Sequence, residues 1–376
     1  MTRTVRLRLT WLPSTTLPRA SVARAAPVRR RRARPTLLWF GVAALALNAL
    51  AGAVSSDARV RDPEYGRRMS RLRDRVAENP GRPLVLVLGS SRTAMGVRPG
   101  EWEAARPADP ARPDPLLFNA ALLGSGPIME QMVLRRAYAD GFRPAVVLIE
   151  YWPPFLHNAG GWVETHRIAR DRLMDVDRPL VRDYFPDAAR IEREMDWKNR
   201  VPAFGHRERL LVQVAQRWVP PEKRSDWTWD DLDGWGWKPA PEFEPGLTPA
   251  RAACHARCAD IYNPLFAAYR VAPAADRAFR ETVALARAHG AAVGFVYLPE
   301  SSEFRKLYPE RVERVAREHL AGLSRDLGVP VLDTRDWIDD GLIMDGFHLT
   351  RPGAAEYTRK LGPAVARTFP TTGGAP

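Results

Sequence analysis

Apolar residues in this chain fall into short unbroken runs separated by longer segments with helical spacing. Residues 83–88 (PLVLVL), 115–123, 145–150 (AVVLIE), 292–298 (AVGFVYL) and 329–332 are continuous rather than alternating. Such runs predict strands buried on both faces. Between them, 127–140, 274–289, 308–327 and 353–368 read as helices, and Gly141, Gly290 and Gly328 stop the first three. Strands alternating with helices of this length predict an α/β fold, a doubly wound, mostly parallel, five-stranded sheet covered on both faces.

Ahead of the alternation lies a different pattern. Thr36 to Val54 is 19 residues without a charge, and Asn48 is its one strongly polar member. As a helix it rises about 28 Å at ~1.5 Å per residue, close to a hydrocarbon core of ~30 Å. The RRRRAR run at 29–34 predicts a transmembrane anchor at 36–54 with a basic cytoplasmic tail, 1–35. Everything after Val54 then lies on the extracytoplasmic side of the cytoplasmic membrane. A signal peptide cleaved at Ala49-Leu50-Ala51 or Ala51-Gly52-Ala53 is the alternative.

Charge follows the same division. The chain carries +13, but ten arginines and no acid sit in residues 1–35, so the other 341 residues hold only +3. A folded part so near neutrality argues against nucleic-acid binding. With 376 residues, 45% of them apolar, one sizeable α/β core plus an insertion can be built. Residues 55–80 are polar, with Met69, Leu72 and Val76 at helical spacing, and read as a juxtamembrane helix or stalk. The α/β domain comprises 81–157 and 266–368. Residues 158–265 break the alternation and read as an inserted cap. Its WTWDDLDGWGW at 227–237 places four tryptophans in eleven residues, as a local hydrophobic nucleus or a stacking platform for sugar rings.

Two cysteines, Cys254 and Cys258, exclude a disulfide-rich scaffold. Their spacing leaves a small surface disulfide or free thiols open. With His255 they make a partial metal set that lacks an evident fourth ligand, so no metal or cofactor is expected.

Ligands bind an open α/β sheet at the carboxyl ends of its strands, and three segments there carry chemistry. After the first strand, Gly89-Ser90-Ser91 lets the chain turn sharply and present a serine. After the second, the Asn119–Gly124 segment can bring a backbone N–H close to a reacting carbonyl. Before the last helix, Asp345 stands three residues ahead of His348. That pair can supply a base and the carboxylate that fixes its tautomer. Singly, each is also ordinary turn or cap chemistry. Their order is the stronger signal.

That order resembles the SGNH (GDSL-like) hydrolases. Gly89-Ser90-Ser91 is similar to the family's first block, with Ser90 in place of the usual Asp. The 119–124 segment is similar to the second block, and Asp345 with His348 to the last. The resemblance implies an SGNH/flavodoxin-like sheet and a triad of Ser91 as nucleophile, His348 as base and Asp345 as orienting acid. It implies the backbone N–H groups of Ser91 and Gly124 as oxyanion-hole donors, with Arg92, Asn119 and Asn158 on the substrate side. The family's third block, Gly-x-Asn-Asp, is missing: the chain reads Tyr151-Trp152-Pro153-Pro154 there. Asn158, His157 and Arg92 are the candidate replacements for the lost asparagine donor.

A divergent third block on a tethered chain is similar to proteins of alginate O-acetylation and teichoic-acid D-alanylation. This implies acyl transfer to, or ester hydrolysis on, a cell-envelope saccharide through an acyl-enzyme on Ser91. A membrane-bound O-acyltransferase is the implied partner. The alternative is a catalytically inert SGNH-fold scaffold or glycan-binding protein of an envelope complex.

Overall fold

The computed structural model describes residues 28–105, 114–157, 159–220, 224, 230–242 and 248–370. Its apolar runs form five parallel strands, β1 (Leu84–Leu88), β2 (Leu116–Asn119), β3 (Val146–Glu150), β4 (Ala292–Tyr297) and β5 (Val331–Asp333). Their order is β2-β1-β3-β4-β5. Every residue of β1, β2 and β3 is buried, because each face of the sheet has its own core. Leu84, Leu86 and Leu88 enter one cluster with Met69, Met132 and Phe279. Val85 and Val87 enter the other with Trp102, Tyr357 and Leu361.

Parallel neighbours need crossover connections, and these are the helices that cover the sheet. In chain order the longer or site-bearing ones are α1 (Val28–Ser55), α2 (Pro63–Glu78), α3 (Ser91–Gly96), α4 (Pro99–Ala105) and α5 (Pro127–Ala139). After β3 come α6 (Ala188–Arg200), α7 (Pro249–Ala267) and α8 (Pro273–Ala288), followed by α9 (Glu310–Leu327) and α10 (Arg351–Thr368). Helices α2, α5, α8 and α9 feed the first core, α4 and α10 the second. Among the described residues the chain divides into two units, one up to Leu47 and one from Asn48 onward. Within α1, the 23 residues Ala33–Ser55 are long and apolar enough to cross a membrane.

Three expectations are revised. Residues 63–78 are not a stalk: Tyr65, Met69 and Leu72 are buried in the first core, and only Val76 of the expected stripe is well exposed. Strand β2 stops at Asn119 rather than 123 because the chain then follows the exit of β1. Ala120 and Leu122 donate their N–H groups to the carbonyls of Val87 and Gly89. In the tryptophan-rich segment, Trp227 and Trp229 lie outside the described residues, and Trp237 is buried rather than offered to a sugar. Its Nε1 donates to Met95 O at 2.7 Å, and Asn119 N donates to Trp235 O at 3.1 Å. Between them Gly236 has φ +79°, and a Cβ there would lie 2.1 Å from Asn119 O. Trp235 to Trp237, the described tryptophans and the glycine between them, pack against the sheet edge.

A buried ion cluster joins the helices over the first core to the long β3–β4 connection. Arg136 on α5 bonds Asp62, the N-cap of α2, and Asp177, each at 2.7 Å. Arg136→Ala leaves two carboxylates in the interior without their cation. Thermal or urea unfolding of the detergent-solubilised full chain is expected to show a loss of about 3–5 kcal/mol.

Candidate active site

The site is built where β1 leaves the sheet. Gly89 is required by space: a Cβ would lie 2.2 Å from Thr93 Oγ1 and 2.5 Å from Glu150 Oε2. Ser90 is the N-cap of α3, its Oγ accepting from Arg92 N at 3.2 Å. The same residue donates its N–H and its hydroxyl to Glu150, at 2.7 and 3.2 Å, and is 1% exposed. Ser90 is therefore consumed by the turn. Ser91, the next residue, is half-buried, and its Oγ lies 2.8 Å from His348 Nε2.

His348 in turn has Nδ1 2.7 Å from Asp345 Oδ2. A carboxylate at Nδ1 places the ring proton there, which leaves Nε2 to accept from the Ser91 hydroxyl. The two residues share a tight hairpin closed by an antiparallel bridge between Ile343 and Leu349. Met344 N donates to His348 O at 2.7 Å, and Ser301 N to Gly346 O at 2.8 Å. Gly346 has φ +108°, open to glycine alone at this turn. Burial pushes the Asp345 carboxyl up. The His348 ring and the backbone N–H groups of His348 and Phe347 outweigh that and hold it below the ordinary carboxylate range.

Helix α7 presses on this hairpin. Cys258 Sγ donates to Asp345 O at 3.1 Å; burial first, then the Asp345 charge, pushes its thiol up to about 12. Both cysteines are free thiols, and Cys258 is buried rather than at the surface. His255 faces Arg251 Nε at 3.4 Å. Among the described residues no group of three or more His, Cys, Asp or Glu side chains is placed to hold a metal.

The glycine loop after β2 is held from three sides. Leu122 N donates to Gly89 O, Leu123 N to Glu64 Oε1 at 2.9 Å, and Arg167 Nε to Gly124 O at 3.1 Å. Gly124 itself has φ +75°. Glu164 accepts the N–H groups of Gly126, Ile128 and Met129 that follow. The loop is thus fixed at the exit of β1 by residues of α2 and of the β3–β4 connection.

Two residues expected on the substrate side are structural instead. Asn119 is fully buried; its Nδ2 donates to the carbonyls of Thr93 and Val97 at 2.8 and 2.7 Å, clamping α3. Arg92 is also fully buried. It stands 3.5 Å from both Glu150 and Glu300 and donates to Leu298 O and Pro299 O. That geometry removes it as the replacement donor. His157 is buried, and its Nδ1 accepts from Arg270 N at 3.4 Å. Asn158 lies outside the described residues.

Four residues went unnoticed in the sequence: Glu150, Glu300, Trp152 and Arg167. Glu150 left a signal, being the one charge at the end of an apolar strand. Trp152 directly follows β3 and Tyr151, stacked 4.9 Å from the Arg92 guanidinium with Nε1 bonded to Glu300 at 3.0 Å. Around it, Phe155, Trp162, Tyr262, Phe304 and Phe347 form an aromatic wall. The Phe347 ring centroid is 4.5 Å from that of His348, so this wall borders the triad. Arg167 lies 4.3 Å over Phe155, and its Nη2 is buried without a hydrogen-bond partner.

No family model and no curated protein matches the chain.

Two outcomes follow from the geometry. Glu150→Ala strands the Ser90 N–H, two hydroxyls and Arg92 in the interior, an expected loss of about 3 kcal/mol or more in unfolding experiments. Asp345 is depressed in the folded state from its ordinary 3.8. Its stabilising share is therefore complete above that value and is lost as pH falls through the lower folded one. Asp345→Asn is expected to flatten the stability–pH curve below about pH 4.

Proposed function

We propose that this protein is a membrane-anchored serine acyltransferase or esterase of SGNH type, acting on an acylated cell-envelope saccharide outside the cytoplasmic membrane. The single observation that carries this reading is the continuous chain Ser91 Oγ, His348 Nε2, His348 Nδ1, Asp345 Oδ2, at 2.8 and 2.7 Å. His348 takes the Ser91 proton as Oγ attacks an ester carbonyl, and returns it to the leaving alkoxide as the C–O bond breaks. Asp345 stabilises the imidazolium meanwhile. A sugar hydroxyl or water, deprotonated by the same ring, then releases the acyl group from Ser91. The Ser91 and Gly124 N–H groups serve the oxyanion, and Arg167 stands in, as a charged donor, for the neutral donor that the missing asparagine would have been.

The saccharide reading is supported by half-buried Trp162 and Phe155 on the wall beside the triad, since aromatic faces suit sugar rings. The anchor is supported by the long apolar helix Ala33–Ser55. The triad spacing favours catalysis over the inert scaffold, which is the reading left if the following test fails.

The detergent-solubilised full chain is expected to hydrolyse an aryl acetate and to be labelled by a fluorophosphonate at Ser91. Ser91→Ala should abolish labelling and lower the rate by about a thousand-fold or more, while Ser90→Ala leaves Ser91 labelled. Equal rates in wild type and Ser91→Ala would overturn the enzyme. Arg167→Ala should lower turnover by roughly ten- to a hundred-fold, with Arg167→Lys recovering part of it.

A further inference from the structure

Asn48, the polar residue in the apolar stretch of α1, has both ends of its amide occupied. Its Nδ2 donates to Arg200 O and its Oδ1 accepts from Ala203 N, each at 3.3 Å. One turn on, Gly52 faces Pro202, whose Cγ would lie 3.2 Å from a Cβ built there. The corner between α6 and the short helix Pro202–Gly205 is thus seated on the last two turns of α1.

What this corner turns outward is apolar. Trp197, Val201 and Phe204 are 46%, 41% and 53% exposed. The two rings meet edge to face at 5.7 Å, and the Arg207 guanidinium lies 4.2 Å over Phe204. On the α1 turns that hold the corner, Leu50 and Val54 are exposed too. Apolar side chains gathered in this way mark a contact surface.

Chain length says what covers it. As a helix, Thr36 to Leu47 rises only ~17 Å, well short of the ~30 Å of hydrocarbon. A bilayer entered by that stretch must extend over the turns Asn48–Ser55 and the corner they carry. Tryptophan and phenylalanine flanked by arginines suit the boundary between acyl chains and headgroups, where rings bury and guanidinium groups reach phosphate.

We propose that the Trp197–Phe204 corner is a lipid-contact surface, dipping into the headgroup–acyl boundary of the extracytoplasmic leaflet where α1 leaves the membrane. Arg61 connects it to the site: its guanidinium bonds Asn199 Oδ1 at 3.2 Å and Leu173 O at 3.1 Å. Arg61 directly precedes Asp62, the N-cap of α2, the helix whose Glu64 holds the Gly124 loop. Lipid contact at the corner therefore sets the height of the triad above the bilayer.

The inference rests on α1 spanning the membrane, and the test separates the two. Single cysteines replace Leu45, Trp197, Phe204 or Glu318 in the full chain carrying Cys254→Ser, the remaining Cys258 being buried. Each is labelled with a small fluorophore and reconstituted into phosphatidylcholine–phosphatidylglycerol vesicles. The quenchers are nitroxides near the headgroups or near the acyl-chain ends, and aqueous iodide. Labels at 197 and 204 are expected to be quenched roughly two-fold or more by the shallow nitroxide and shielded from iodide, with the reverse at 318. Iodide quenching at 197 and 204 without nitroxide quenching overturns the proposal. So does shielding from both, with label-to-label proximity showing a second copy on the patch. Absence of deep-nitroxide quenching at 45 overturns the span itself.

Discussion

A single buried carboxylate holds the candidate site together. Glu150 ends a strand with no exposed residue, where an unpartnered charge costs several kcal/mol. It is tolerable because the turn after β1 delivers donors to it: the Ser90 N–H, the Ser90 and Thr93 hydroxyls, and the Arg92 guanidinium. Satisfying Glu150 therefore fixes the geometry of the turn. With Ser90 spent on the carboxylate, Ser91 is the hydroxyl left facing outward, and Gly89 is the residue small enough to let the chain pass. Arg92 extends the same network to Glu300, Trp152 and Tyr308, so the ends of β1, β3 and β4 are locked as one polar layer. Burial pushes the Glu300 carboxyl up against the pull of Arg92, which makes that pair the costly part of the layer.

The long β3–β4 connection belongs to the site's construction. Glu164 and Arg167 hold the Gly124 loop, Cys258 holds the acid's hairpin, and Trp162 with Tyr262 extends the aromatic wall. In the proposed reaction, Arg167 puts a charge on the oxyanion side where an asparagine would put a neutral hydrogen bond. A cation in a partly dry site acts more strongly on a developing anion than an amide does. The cost is that Arg167 must be desolvated, and burial lowers its affinity for the proton against the pull of Glu164.

Much of this was legible in the linear chain. Continuous apolar runs announced the five strands, because a strand buried on both faces cannot carry alternating polar residues. The Ser91–His348–Asp345 constellation was legible because the serine follows the first strand, and because Asp345 and His348 are close enough in sequence to share one turn ahead of the last helix. The helix at 63–78 was visible, but its docking was not. Glu64 and Arg68 look like solvent-facing charges until they are found paired inside the protein. Asn119 and Arg92 were misread for the same reason, since a polar residue near a candidate nucleophile serves either substrate or scaffold.

The amino-acid order alone thus determined the strands, the helix types, the long apolar helix and which serine, histidine and aspartate belong together. These depend on local periodicity and on short spacings that survive in any reading of the chain. Tertiary structure decided which polar groups face inward, that Ser90 is bound and Ser91 is presented, that Trp152 stacks on Arg92, and that Arg167 reaches Gly124. Those outcomes depend on distances between segments tens to hundreds of residues apart, which only the packing of side chains around the buried charges sets.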